Sequence, residues 1–144
     1  MQLPEKCPTI LVVDDDKVFA MTVQRALRKL NLDHATKIVR DGVEALDFLT
    51  ECAVSNNTDV GTIVFLDLNM PRMNGWEFLE KIAKQRALVP TAIYVFVDDH
   101  HVRDLAGRFG SEITGYINKD VAGEKLTTAL EGFSRVEREA RLAY

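Results

Sequence analysis

Thr9-Ile10-Leu11-Val12-Val13-Asp14-Asp15-Asp16 is the stretch whose reading decides the fold. Five β-prone, mostly apolar residues stop abruptly at three carboxylates, which is the pattern of a short strand buried on both faces. Immediately after it, Phe19, Val23, Ala26, Leu27 and Leu30 recur at spacings of three and four and predict a helix over 17–30. Asp16 stands where a helix N-cap belongs.

The same alternation continues outward along the chain. His34 to Arg40 predicts a second, shorter strand, and a helix carrying Val43, Ala45, Leu46 and Leu49 opens after Asp41-Gly42. Residues 55–59 are turn-forming. Thr62 to Leu66 is a third buried strand that again ends in an acid, Asp67. Pro71 and Gly75 punctuate the next loop, and Trp76, Leu79, Ile82 and Ala83 mark a third helix. Thr91 to Val97 predicts a fourth strand, followed by a helix with Val102, Leu105, Ala106 and Phe109. Ile113 to Ile117 predicts a fifth strand leading into Lys119, and Leu126, Ala129, Leu130 and Phe133 mark a last helix over 122–138. Its charged end, 135–141, reads as a solvated helical face or a dimer contact.

Strands alternating with helices give a doubly wound α/β domain, in which a parallel sheet is covered on both sides. The 144 residues suit one such unit: a lead-in over 1–8, the domain over 9–138 and a tail over 139–144. A hydrophobic share of 47% and a charged share of 28% are ordinary for a globular chain, and a net charge of -4 disfavours a phosphate-neutralising nucleic-acid binder. Apolar runs are too short to cross a membrane. Cys7 and Cys52 form no metal or disulfide motif, which fits a reducing, cytoplasmic setting.

In an open parallel sheet the functional crevice lies beyond the carboxyl ends of the strands. Asp14, Asp15, Asp67, the residues after Val97 and Lys119 all fall there, so they can meet although they are distant in sequence. Clustered carboxylates repel one another unless a cation neutralises them. All-oxygen ligands suit Mg²⁺, and a lysine beside the cluster suits a phosphoryl oxygen. Acids, metal and lysine together indicate phosphoryl transfer to or from a carboxylate.

Three blocks carry a more specific resemblance: V-V-D-D-D at 12–16, V-F-L-D-L-N-M-P-R-M-N-G at 64–75 and G-Y-I-N-K at 115–119. Together they resemble the receiver domain of two-component response regulators, in the chemotaxis-regulator-like or phytochrome-associated form. The resemblance implies a flavodoxin-like (βα)5 fold with strand order 2-1-3-4-5. It further implies that Asp67 takes a phosphoryl group from a histidine kinase or histidine phosphotransfer protein. Asp15, Asp67, the backbone carbonyl of Asn69 and, through water, Asp14 would hold Mg²⁺. Lys119 would contact the phosphoryl group, and Tyr116 would be the aromatic switch, although Tyr116 also reads as a packing residue against the last helix. Pro71 and Gly75 match the residues that shape the loop after the acceptor.

On this reading the chain is a stand-alone regulator that acts on a downstream protein without binding DNA. A homodimer through the fourth helix, fifth strand and fifth helix is a further expectation of the resemblance.

Two positions depart from the family pattern. Val97 stands where the family places Thr or Ser, so a phosphoryl hydrogen bond and the usual link to Tyr116 are expected to be missing, and Asp98 and Asp99 add negative charge beside it. Lys119-Asp120 replaces Lys-Pro, whose peptide bond is usually cis in the family. The first departure supports an alternative, a receiver-like module that works without phosphorylation. A dehalogenase-type phosphatase is disfavoured, because its D-x-D motif would place an acid where Asn69 stands and Asn69 cannot give a proton. His100-His101 reads as a loop or helix start rather than a metal site.

Overall fold

The structure is a computed structural model, described here over residues 9–31, 36–54, 62–85, 92–98 and 100–119. The elements are β1 (Thr9–Val13), α1 (Lys17–Lys29), β2 (Thr36–Val39), α2 (Gly42–Val54), β3 (Thr62–Asp67), α3 (Gly75–Lys84), β4 (Ala92–Val97), α4 (Val102–Phe109) and β5 (Gly115–Asn118). Strands pair in parallel in the order β2-β1-β3-β4-β5, the flavodoxin-like order expected. The expected lead-in, the 55–59 loop, Cys7, Asp99, Asp120, the last helix over 122–138 and the tail lie outside the described residues.

Strand periodicity sorts the core into two layers. Ile10, Val12, Ile63, Phe65 and Phe96 pack with Phe19, Val23 and Leu27 of α1. Their neighbours Leu11, Val13, Leu66, Val95 and Val97 pack with Leu49 of α2, Phe78 and Leu79 of α3, and Leu105 of α4. Each central strand is buried on both sides, which is why it reads as a continuous apolar run.

Caps set where the helices begin, and hence where the loops leave the sheet. Asp16 Oδ1 accepts the amides of Val18 at 3.0 Å and Phe19 at 3.2 Å, so α1 starts directly over the acidic turn. Asn74 and Glu77 form a capping box on α3, with Glu77 N donating to Asn74 Oδ1 at 2.9 Å. The start of β5 differs from expectation by two residues, more than the one-residue differences at the ends of α1, β2 and β3. Ile113 and Thr114 precede β5: Ile113 N still bonds Phe109 O at 3.1 Å as α4 closes, and the strand runs on through Asn118.

The sheet order reverses at β1, with β2 on one side and β3 on the other. The carboxyl ends of β1 and β3 therefore flank the crevice that such a reversal creates.

Candidate functional site

Asp14 and Asp15 leave the end of β1, and Asp67 is the last residue of β3. Carboxylate oxygens of the three lie within 4.8 Å of one another. Asp14 is 1% exposed, Asp67 is also buried, and Asp15 is open to solvent. Asp14 N donates to Val39 O at 3.0 Å, and Asp14 Oδ1 accepts the Asp16 amide at 2.8 Å, so both the backbone and the side chain of this residue are tied down. Asp14 Oδ2 is buried without a well-aligned hydrogen bond, and the Lys119 ammonium stands 3.1 Å from it.

Lys119, just past β5, also reaches Asp67 Oδ1 at 3.4 Å. Its ammonium lies 4.6 Å from the centre of the Phe19 ring, which stands edge-on to Phe96 with centroids 4.8 Å apart. This aromatic support holds the cation between the two buried acids.

The electrostatics follow from burial. Desolvation, reinforced by Asp14 and Asp15 and opposed by Lys119, raises the Asp67 carboxyl from 3.8 to about 6. Desolvation also raises Asp14, against the pull of the Asp16 amide and Lys119. Burial works against the Lys119 charge, but Asp67 and Asp14 outweigh it and its pKa is raised. A lysine alone thus leaves the acids incompletely neutralised. The buried Asp14 oxygen, met by Lys119 without a well-aligned hydrogen bond, and the all-carboxylate donor set fit a hard divalent cation such as Mg²⁺ or Mn²⁺.

The loop after Asp67 is tied down on both sides. Gly75 N donates to Leu68 O at 2.9 Å, and a Cβ on Gly75 would sit 2.5 Å from the carbonyl oxygen of Asp67. Gly42 N donates to Met73 O at 2.9 Å, which joins the loop to the start of α2. Between these anchors Arg72 adopts a left-handed φ of 61°. Asn69 is exposed on this loop and lines the crevice, a cavity of about 300 Å³ that also takes in Asp15, Asp67, Val97, Asp98, His101 and Lys119.

The sequence model of the response regulator receiver domain matches residues 10–131. The chain belongs to the response regulator receiver family. It is 30% identical over 110 residues to response regulator Rcp1 of Synechocystis sp., covering 76% of this chain and 75% of Rcp1. It is 28% identical over 122 residues to a chemotaxis protein CheY homolog of Campylobacter jejuni, covering 85% of this chain and 88% of that one. The crystal structure of the Mn²⁺-bound form of Rcp1 superposes with a TM-score of 0.67 at 27% identity, covering 87% of this chain and 90% of that one.

Within this receiver, Asp14, Asp15, Asp67, Asn69 and Lys119 come together as the motif spacing implies. Val97 ends β4, is 4% exposed, and belongs to the layer against α4. Tyr116, paired with Val95 in the sheet, is half-buried and packs against that same layer, so the two candidate switch positions share one face. Asp98 is exposed at the cavity edge.

Three features of the receiver escaped the sequence reading. The contact of Phe19 with Lys119 spans a hundred positions, and the pairing of Arg72 with Asp41 spans 31. His101 is the N-cap residue of α4, as its reading as a helix start implies, but it also lines the cavity. Its distance of four residues from Val97 was the signal that could have found it.

Proposed function

We propose that this receiver accepts a phosphoryl group on Asp67, in a Mg²⁺-dependent reaction, from the phosphohistidine of a histidine kinase or histidine phosphotransfer protein. In the cytoplasm the modified form would then change its contacts with a downstream protein. The observation that carries the reading is the placement of Asp67 among Asp14, Asp15 and Lys119, with Lys119 spanning Asp14 and Asp67 at 3.1 and 3.4 Å.

In the transfer, an Asp67 carboxylate oxygen forms a bond to phosphorus while the bond from phosphorus to the donor's imidazole nitrogen breaks. The bonding pair leaves with the imidazole, and an aspartyl phosphate remains. Asp67 attacks only when ionised, so the burial and neighbouring acids that hold its proton on up to about pH 6 must be countered. Asp15, Asp67, the Asn69 carbonyl and, through water, Asp14 would hold Mg²⁺, which would supply positive charge to the developing phosphoryl oxygens. Lys119 supplies the second positive charge and would pivot from Asp14 toward the phosphoryl group. The protein is the acceptor and not a turnover enzyme, apart from slow hydrolysis of its own acyl phosphate.

The test is incubation with acetyl phosphate and Mg²⁺ followed by intact mass measurement. One added phosphoryl group that disappears in Asp67→Ala is expected. Addition that survives Asp67→Ala would overturn the assignment.

A second reading is favoured by Val97 and Asp98, which remove a hydroxyl and add a charge at the cavity wall. Here the fold binds its partner without phosphorylation. Partner binding unchanged by Asp67→Asn, in a protein whose wild type does accept phosphate, would select this reading.

A further inference from the structure

We propose that His101 supplies the phosphoryl hydrogen bond that Val97 cannot give. The inference rests on the reading of Asp67 as phosphoryl acceptor and extends it to the part of the cavity lining that follows β4.

That wall runs from Val97 through Asp98 to His101. Val97 is buried and apolar, and the Asp98 carboxylate is an acceptor when ionised, so neither donates to an anion. Among the described residues lining the cavity, the side chains with N–H donors are Asn69, Lys119 and His101. Lys119 is already shared between Asp14 and Asp67. Asn69 belongs to the loop after β3. His101 is the donor on the β4 side, where the hydroxyl is missing.

The imidazole has neighbours on two sides. His101 Nε2 lies 3.8 Å from Asp98 Oδ1, and the ring meets Trp76 of α3 nearly edge-on, with centroids 5.9 Å apart at 83°. Leu105 N bonds the His101 carbonyl at 3.0 Å, which anchors the residue to the first turn of α4. Asp98 therefore acts as a positioning residue. Its carboxylate gives the imidazole a partner before any phosphoryl group arrives.

The charge of the lining points the same way. Among the described residues that line the cavity, Asp15, Asp16, Asp67 and Asp98 are acids and Lys119 is the one permanent cation, so a phosphoryl group gains from a further N–H donor there.

The test is the affinity of beryllofluoride, a mimic of the phosphoryl group on aspartate, measured with Mg²⁺ present by fluorine NMR of the bound species. His101→Phe keeps a ring against Trp76 while removing both nitrogens, and circular dichroism checks its fold. It should weaken binding roughly tenfold, the scale of one hydrogen bond to a charged group. His101→Gln keeps a donor and should bind more tightly than His101→Phe.

Val97→Thr should restore affinity in the His101→Phe background and add much less to the wild type, because the two groups serve one role. Equal affinities of wild type and His101→Phe, or an equal gain from Val97→Thr in both backgrounds, would overturn the inference alone. A wild type that binds no beryllofluoride would overturn the acceptor reading and this inference with it.

Discussion

The guanidinium of Arg72 closes on a single oxygen of Asp41, with Nε and Nη2 each 2.7 Å from Oδ2. The other oxygen, Oδ1, accepts the Glu44 amide at 2.9 Å and so caps the first turn of α2. One buried carboxylate thereby fixes both the loop that follows the acceptor and the helix beside it. Burial pushes the Asp41 pKa up, but the Glu44 amide and Arg72 outweigh it and the net shift is downward.

Asp41→Ala is therefore expected to cost about 2 kcal/mol of stability, read from urea unfolding, through loss of the cap and the ion pair. Arg72→Ala should cost about 1 kcal/mol, because Arg72 is more than half exposed and water screens its charge. A carboxylate with a lowered folded pKa stabilises the fold above its unfolded value of 3.8 and loses that contribution as pH falls through the folded value. The gap between wild type and Asp41→Asn should thus shrink as pH drops below 4. A gap that stays constant down to pH 2 would contradict the assignment.

Asp67 carries the opposite sign. Burial raises its carboxyl from the ordinary 3.8 to about 6, so folding favours the uncharged form more than the unfolded chain does. Stability should be lost as pH rises from 3.8 through about 6, where the fold must accept the ionised carboxylate. In the presence of a chelator at pH 7, Asp67→Asn should raise unfolding stability by about 1 to 3 kcal/mol. Adding Mg²⁺ should narrow the difference by stabilising the wild type. A destabilised Asp67→Asn under chelation would show that Lys119 already overcompensates the acids.

Two glycines give a paired test of close packing. A Cβ on Gly75 would meet the Asp67 carbonyl oxygen at 2.5 Å and the Leu68 Cα at 2.8 Å, both backbone atoms that cannot turn aside. Gly75→Ala should cost about 1 to 3 kcal/mol and weaken Mg²⁺ binding by shifting Asp67. A Cβ on Gly107 of α4 would have nothing within 4 Å, so Gly107→Ala should stabilise by about 0.5 to 1 kcal/mol through helix propensity. Thermal melting of the two variants reads both signs at once.

How far these relationships could be read in advance depended on their range. Ile10 to Val13 and Ile63 to Leu66 show their strands because burial on both faces demands apolar residues at every position. Asp14 and Asp67 were legible as site residues because each terminates such a strand, and parallel strands present their carboxyl ends together. The start of β5 was less legible. Ile113 is apolar like Ile117, but it is used to close α4. The Arg72 contact with Asp41 depends on a left-handed backbone at a non-glycine residue, which no local preference announces. His101 was legible as a helix start, whereas its place at the cavity comes from the tertiary packing of Trp76.

The junction of α3 with α4 separates charge from aromatic contact in one side chain. Arg108 Nη2 bonds Glu80 Oε1 at 2.7 Å, and its guanidinium lies 5.3 Å from the Trp76 ring and 5.0 Å from the Phe109 ring. An exposed ion pair of this kind contributes less than about 1 kcal/mol and is screened by salt, whereas the ring contacts add a comparable amount with weaker salt dependence. Glu80→Gln should therefore cost less than about 0.5 kcal/mol, and that cost should vanish in high salt. Arg108→Ala should cost about 1 kcal/mol and retain most of it in high salt. Denaturant titrations of both variants at low and high ionic strength make the comparison. Equal, fully salt-sensitive losses would mean that the ring contacts of Arg108 contribute nothing.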